Sequence, residues 1–577
     1  MRTLTKSKVE PMEKPTRKIS GSEAILLSLL EEGVDTIFGY PGGAIMPVYD
    51  LLYDYDDKLK HILVRHEQGA AHAAQAYARV TGKPGVCLVT SGPGATNLTT
   101  GLADAMVDST PIICISGQVI TPLLGTDAFQ ETDVMGISMP ITKWNTQITK
   151  ADEIPGAMAR AFYIARSGRP GPVMIDLTKD AQFEEFDFRY EKCTMIRSYV
   201  PTPALNMNKV TEAARMINQA KKPLALVGQG VILAGAEAEL KTFIEKTGMP
   251  AAWTLLGKSA LPTNHPLNVG MLGMHGNYGP NLKTNECDLL IALGMRFDDR
   301  VTGNLATYAK QAKIIHCEID PSEVDKNVKT DLAIIADVKE TLQALIPKVN
   351  KNKCAEWLKE FKIAYEYEYD KVIHKDLNPE GEGLSMGEVI RRLNEKTNGD
   401  AILVTDVGQH QMIASRYFNL GESRSLVTSG GLGTMGFGLP ASVGAKIGRP
   451  DKTVVAIIGD GGFQMTIQEL GTISQTGAAV KIVLMNNNFL GMVRQWQQLF
   501  FNRRYSFTEL KNPDFITIAK GYKINGRSVI KRKDLDEAIT EMFNHDGPYL
   551  MEVKVKQEGN VFPMVPAGAS VSDMRLE

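Results

Sequence analysis

Cysteine is scarce. Six residues in 577 (Cys87, Cys114, Cys193, Cys287, Cys317 and Cys354) stand singly among apolar neighbours, and none forms a CxxC pair. That excludes a disulfide scaffold or zinc framework and predicts buried free thiols in a reducing, cytoplasmic setting. Long apolar runs are missing too: nothing approaches the ~18–20 residues a membrane helix requires. Neither charge sign dominates, with a formal net charge of −2 and a pI near 6.5. Neither nucleic acid nor an anionic membrane is therefore an expected partner. No repeat recurs at solenoid periods. The opening residues ("MRTLTKSKVEPMEKPTRK") mix charges and proline without an apolar segment, which reads as a disordered tail over 1–19 rather than a signal peptide.

Present throughout are short apolar runs alternating with amphipathic stretches: "DTIFGY", "HILVRH", "GVCLVT" and "IICISG", then "LALVGQG", "LLIALG" and "KIIHCEID", then "AILVTD", "TVVAIIGD" and "KIVLMNN". Runs apolar on both faces, separated by helix-length segments, predict parallel sheets covered on both sides. The rhythm breaks at the proline-bearing 197–206 and at the charged stretch 347–383, which read as linkers. A 63.2 kDa chain is too long for one core. The expected class is α/β, with three doubly wound parallel-sheet domains at 20–195, 205–345 and 385–550, and a tail or lid over 551–577.

Two strand ends carry chemistry. In "TVVAIIGDGGFQM" an apolar run delivers Asp460 into a glycine loop containing Gly461, where bare N–H groups can approach a phosphate. The next run delivers Asn486, Asn487 and Asn488. Ligands of open parallel sheets bind beyond the carboxyl ends of strands, so these residues would meet on one rim. A carboxylate, an amide oxygen and a carbonyl are hard ligands that suit magnesium, which takes the rest of its shell from phosphate and water. Singly, each motif is an ordinary turn. Together, "GDG", 24 residues and "NN" resembles the binding signature of the thiamine-diphosphate enzyme superfamily. The resemblance implies that Asp460, Asn487 and the main-chain carbonyl of Phe489 hold Mg2+ against the diphosphate.

A rival lies at 430–436, where "GGLGTMG" contains GxGxxG after a short strand, with Asp451 some twenty residues on. That is the form of a dinucleotide fingerprint. Against it, Pro440 falls inside the required helix, and Asp451 precedes a strand instead of ending one. The thiamine reading uses the stretch better: a glycine-lined loop including Gly433 admits the aminopyrimidine, and Met435 is an apolar wedge that bends the cofactor.

Thiamine chemistry also needs a carboxylic acid against the aminopyrimidine. Glu67 stands where a strand turns into the alanine-rich "EQGAAHAAQAYAR". Its bland reading is a first-turn acid complementing a helix dipole. "RHEQGAAHAAQAYAR" also resembles the segment carrying the superfamily's activating glutamate, and that acid and the diphosphate clamp would then meet across a dimer interface.

The resemblance narrows further. "FGYPGGAIMPVYD", "VTSGPGATNLTTGLADAM", "GTDAFQETD", "GRPGPVMIDLTKD", "RFDDRVTGN", "TDVGQHQM" and "GMVRQWQ" together resemble the catalytic subunits of the acetohydroxyacid synthase family, in its FAD-containing anabolic form. That family is expected to decarboxylate pyruvate and condense the hydroxyethyl unit with a second pyruvate or 2-ketobutyrate, giving 2-acetolactate or 2-aceto-2-hydroxybutyrate for branched-chain amino acid synthesis. The resemblance implies three cofactors: thiamine diphosphate, Mg2+ and FAD. It gives Gln409, His410, Gly433, Met435, Gly461, Met465 and Met492 to thiamine diphosphate. To FAD it gives Arg169, Gly228, His275, Arg296, Asp298 and Arg300, together with Glu318 and Asp337. Glu318, at the strand end "HCEID", suits a ribose hydroxyl, although an ordinary capped turn before "PSE" explains it and Asp320 equally well. Gly43, Ala44, Phe129, Gln130 and Lys179 of one subunit would surround the reacting carbon. From the other, Trp496 would form the pocket wall that favours 2-ketobutyrate, where residue type alone predicts core burial. Ile413 departs from the family pattern, which carries tryptophan there. The implied assembly is a homodimer or dimer of dimers with interfacial sites, and a small regulatory subunit is a candidate partner. Two other readings remain open: a flavin-dependent pyruvate oxidase or other thiamine-diphosphate 2-keto acid decarboxylase, and a non-catalytic paralogue, which the intact Glu67, Asp460 and Asn487 oppose.

Overall fold

The computed structural model describes residues 17–351 and 354–577. Within them lie three six-stranded sheets whose strands all run parallel. The central strands are fully buried apolar runs such as Leu289–Leu293 and Val454–Gly459, as expected where helices cover both faces. In the first domain the spatial order of strands, numbered along that domain, is 2-1-3-4-6-5, and the last domain repeats it. The middle domain runs 3-2-1-4-5-6, the dinucleotide-binding order. Among the described residues no helix is long and apolar enough to cross a membrane. All six cysteines are free, and all but the half-buried Cys193 are buried.

The helix Glu67–Thr81 shows why its sequence is so rich in alanine. Thirteen of its fifteen residues are buried, wedged partly against the last-domain helix Gly438–Gly448. A Cβ added at Gly444 would stand 1.9 Å from the Ala73 carbonyl oxygen, and one at Gly101 would stand 2.3 Å from Ala71 Cβ. Small side chains here permit a backbone approach that larger ones forbid. The helix carrying Glu67 is thereby locked between two domains of the same chain.

Three boundaries differ from the sequence reading. Of the tail assigned to 1–19, residues 1–16 lie outside those described, but Arg17–Ser20 forms a strand paired antiparallel with Glu185–Phe188. The stretch 347–383 contains the helix Ala355–Glu368, whose buried Trp357, Phe361, Ala364 and Glu368 form one stripe, with Trp357 Nε1 donating to the Pro223 carbonyl (3.0 Å). Its charges are the solvent face of that helix. The strand Tyr549–Lys554 runs through the expected end of the last domain at 550. The segment that follows is bonded in place. Gln495 exchanges hydrogen bonds with the Val561 main chain, and Arg494 donates to the Gly559 carbonyl and to Asn560.

Candidate active site

In a sheet ordered 2-1-3-4-6-5 the chain reverses direction between strands 1 and 3, which opens a crevice at their carboxyl ends. In the last domain those strands are Ile402–Thr405 and Val454–Gly459. The first leads through Asp406 into the helix Gln409–Tyr417. The second leads straight into the short helix Asp460–Met465, so Asp460 opens a helix where a loop was expected. The neighbouring strand Val480–Asn486 is followed directly by Asn487. Asp460 is 1% exposed, and burial pushes its carboxyl up to about 6. Asn512, which sequence reasoning missed, donates from Nδ2 to Asp460 Oδ2 (2.6 Å) and to Asn486 Oδ1 (3.0 Å). Asn487 Oδ1 accepts from the Phe489 N–H (3.1 Å), which fixes the amide. Of the three asparagines, Asn486 is structural, donating to Glu552 (2.7 Å), and Asn488 adopts φ +58° to turn the chain.

The glycine loop is held by buried acids. Asp108, from the first domain, accepts from the Gly430 and Gly431 N–H groups (2.8 and 2.7 Å), and Asp406 accepts from those of Gly436 and Gly438 (3.1 and 2.8 Å). Asp406 was also missed, although an acid directly after the apolar run "AILVT" repeats the signal that found Asp460. Asp451, the acid of the rival dinucleotide reading, pairs instead with Arg449 at the surface.

One cavity of about 1000 Å3 joins this rim to the middle domain. At one end it is lined by Gln409, His410, Gly433, Met435, Asp460 and Gly461, with Asn487, Phe489, Met492 and Trp496. At the other end stand Arg169, His275, Arg296, Asp298, Arg300, Glu318 and Asp337. That end opens where strands Pro223–Val227 and Leu289–Leu293 lie side by side, the switch point of their sheet. Gly228 packs there: a Cβ on it would come within 2.2 Å of the Gly294 carbonyl oxygen. Glu318 is buried against the cavity, accepts from the Ile319 and Asp320 N–H groups, and is raised by burial to about 7. The capped turn is real as well, but Asp320 makes it, accepting from the Ser322 N–H (3.0 Å). Asp298 and Asp337 likewise cap helices while facing the cavity. Arg169 bridges from the first domain to Asp320 (3.3 Å) and Glu323 (2.9 Å).

Gly43, Ala44, Glu67, Phe129, Gln130 and Lys179 do not line this cavity, and neither does Met465, which is 59% exposed. The first six share the equivalent edge of the first domain. Gly43 and Ala44 follow strand Thr36–Gly39, Glu67 follows Lys60–Leu63, Phe129 and Gln130 follow Ile112–Gln118, and Lys179 follows Val173–Thr178. Glu67 Oε2 accepts from Asn97 Nδ2 (2.9 Å). On the same domain Phe129 is 88% exposed, and Met46, Leu123 and Met139 are exposed too. The strand-end residues of the first domain and those that line the cavity are thus two separate groups on one chain. Ile413 is buried in the last domain's core.

The lining fits a magnesium diphosphate. Among the described residues no cluster of three His, Cys, Asp or Glu side chains gathers, so the donor set at Asp460 is carboxylate plus amide, which suits magnesium better than zinc. His410 is buried, its Nε2 has no hydrogen-bond partner, and burial lowers the imidazole to about 3. An anion beside it would offset that burial and use the unpaired nitrogen. A Cβ at Gly459 would stand 2.7 Å from that ring, and one at Gly461 would stand 2.7 Å from Leu490, so the cradle requires glycine.

Family comparisons agree with this division. The thiamine pyrophosphate enzyme models match in sequence: the N-terminal TPP binding domain over 19–137, the central domain over 210–345 and the C-terminal TPP binding domain over 406–553. The class is that of thiamine pyrophosphate enzymes. Among curated relatives, the acetolactate synthase isozyme 2 large subunit of Escherichia coli is 46% identical over 96% of this chain and 99% of its own length. The acetolactate synthase large subunit of Corynebacterium glutamicum is 46% identical over 97% and 90%, and that of Lactococcus lactis 43% over 98% and 96%. The chain belongs to the acetolactate synthase large-subunit family.

Proposed function

We propose that the chain is the catalytic subunit of an acetolactate synthase, a thiamine-diphosphate-dependent transferase of branched-chain amino acid biosynthesis. It would join two pyruvates, or pyruvate and 2-ketobutyrate, with loss of carbon dioxide. The observation that carries this reading is the pair of adjacent strand ends bearing Asp460 and Asn487, beside a glycine cradle, in a chain similar to its relatives along nearly its whole length. Asp460, Asn487 and the Phe489 carbonyl would hold Mg2+, and His410 and Gly461 would border the diphosphate. When bound, thiamine diphosphate supplies the electron sink that decarboxylation needs. Glu67 of a second copy holds the proton for the pyrimidine nitrogen on Oε1, because Asn97 already occupies Oε2. Gly43, Ala44, Phe129, Gln130 and Lys179 of that copy, with Met465, Met492 and Trp496 of the first, wall the reacting carbon from water. FAD would occupy the middle-domain end, with Glu318 at a ribose hydroxyl and Arg169 and Arg296 near its phosphates. The relatives are named large subunits, which supports a small-subunit partner.

The test is a colorimetric acetolactate assay with thiamine diphosphate, magnesium and FAD each left out in turn. Product should vanish without either of the first two and fall without the third. Flavin bleaching in step with pyruvate consumption under anaerobic conditions, with no acetolactate formed, would replace this reading with an oxidase.

A further inference from the structure

Two basic side chains are buried where the middle and last domains meet, and the chemistry above uses neither. Lys258, 2% exposed, comes from the middle domain. Its Nζ donates to the carbonyls of Ser415 (2.5 Å) and Phe418 (2.6 Å), at the C-terminal end of helix Gln409–Tyr417, and stands 5.3 Å from the Trp253 ring centroid. Arg416, on that last turn, reaches the opposite way. Its Nη1 donates to the carbonyls of Gly276 (2.7 Å) and His275 (3.3 Å), and its Nη2 pairs with the fully buried Glu368. Glu368 in turn accepts from Asn277 Nδ2 (3.1 Å) and the Tyr278 N–H (2.7 Å).

A cation at a helix C-terminus satisfies unpaired carbonyls and complements the dipole. A solvated lysine would do that at little cost. Removing basic groups from water is expensive: burial lowers Lys258 to about 7, and a buried ion pair such as that of Arg416 seldom gains net stability over apolar packing. What such a cluster does fix is the register of the elements it ties together. Those elements belong to opposite ends of the cavity. The helix begins with Gln409 and His410 at the diphosphate end, and the tethered turn carries His275 at the other. Across nine residues the helix is a rigid rod of roughly 13 Å. Each end presents one unpaired buried ring nitrogen, His410 Nε2 and His275 Nδ1.

We propose that Lys258 and Arg416 are positioning residues that couple the two cofactor halves of the cavity. Ordering of the His275 turn by a flavin nucleotide sets the helix that presents His410 to the diphosphate, and the reverse holds equally. The inference rests on the reading that both groups bind this chain. Any such coupling must be reciprocal: each ligand changes the other's affinity by the same factor.

The experiment measures, on the full-length protein by calorimetry and flavin fluorescence, the dissociation constant of magnesium thiamine diphosphate with and without saturating FAD, and the converse. In the unaltered protein each should tighten the other by about tenfold, within the usual range for coupled sites. In Lys258→Met the factor should fall below about twofold while each cofactor still binds alone, whereas plain structural damage would weaken both without changing their ratio. The double variant Arg416→Met/Glu368→Gln removes both charges of the pair and should give the same loss of coupling, which keeps the test intact if Lys258→Met does not fold. Full coupling in the variant that folds, or no coupling in the unaltered protein with both cofactors bound, overturns the inference alone. An unaltered protein that binds neither cofactor overturns the functional reading, and this inference with it.

Discussion

The first and last domains have the same strand order but carry different side chains at the matching crevice. In the last domain, the crevice between strands 1 and 3 opens into the cavity and sets Gln409, Asp460 and Asn487 beside Met435, Met492 and Trp496. In the first, the matching crevice carries Gly43 and Ala44, with Glu67 one strand over, and Met46 and Phe129 on that domain are exposed. The difference follows from what each edge must hold. On the proposed reading, a charged diphosphate and its metal would need fixed oxygen ligands in a pocket within one chain. The proton carrier and water-excluding wall of that reading would act only when brought against the pocket from outside. Fold therefore fixes where a site lies, and side chains decide which half of the chemistry it performs.

The largest expected effect separates the two edges. Asp460→Ala should abolish magnesium-dependent binding of thiamine diphosphate in calorimetry and lower kcat/KM by about 10³-fold or more, roughly 4 kcal/mol. Retained binding would remove the last domain's claim to the metal. Glu67→Gln should leave cofactor affinity unchanged and lower kcat by about 10²–10⁴-fold, the usual range for lost acid–base catalysis. Mixing these two inactive variants sharpens the contrast. Random pairing across a two-fold axis leaves one intact site in half of the dimers, so activity should recover to roughly a quarter of the unaltered level. An inert mixture would mean that Glu67 and Asp460 serve a site within one chain. Trp496→Leu should alter the ratio of products from 2-ketobutyrate and pyruvate by no more than ~10–200-fold, since one methylene in an apolar pocket is worth about 1–3 kcal/mol. Loss of all turnover instead would give the side chain a role beyond selection.

The smallest effect concerns the middle domain. Burial raises Glu318 from its ordinary 4.5 to about 7. The folded, cofactor-free protein therefore binds a proton that the unfolded chain has already released. Its stability from this group is present below about 4.5 and is lost as pH rises towards 7. The melting temperature of the flavin-free protein should decline over that window, and Glu318→Gln should flatten the decline. An identical slope in the variant would assign it to other groups.

Much of this was legible in the sequence because it is local. An apolar run ending in Asp or Asn announces a strand and its cargo together, which is how Asp460 and Asn487 were found. Asp406 had the same form but was passed over within "TDVGQHQM". Asn512 had none, because it comes from irregular chain and reaches Asp460 only through the fold. The stretch 347–383 was misread as a linker because its charges drew attention from Trp357, Phe361, Ala364 and Glu368, spaced at helical intervals. The cavity's continuity between domains, and the buried bonds of Lys258 and Arg416, depend on contacts between residues more than a hundred positions apart or across separate domains, which periodicity cannot report.

Phe129, Met46 and Met139, bare on the first domain, also govern how the protein behaves in the test tube. Where exposed apolar side chains of this size gather into a patch, they mark a surface that another molecule covers. On dilution the loss of turnover should be followed by clumping and turbidity, so concentrated stocks would keep better than weak ones, and mild detergent would slow the decay without restoring catalysis.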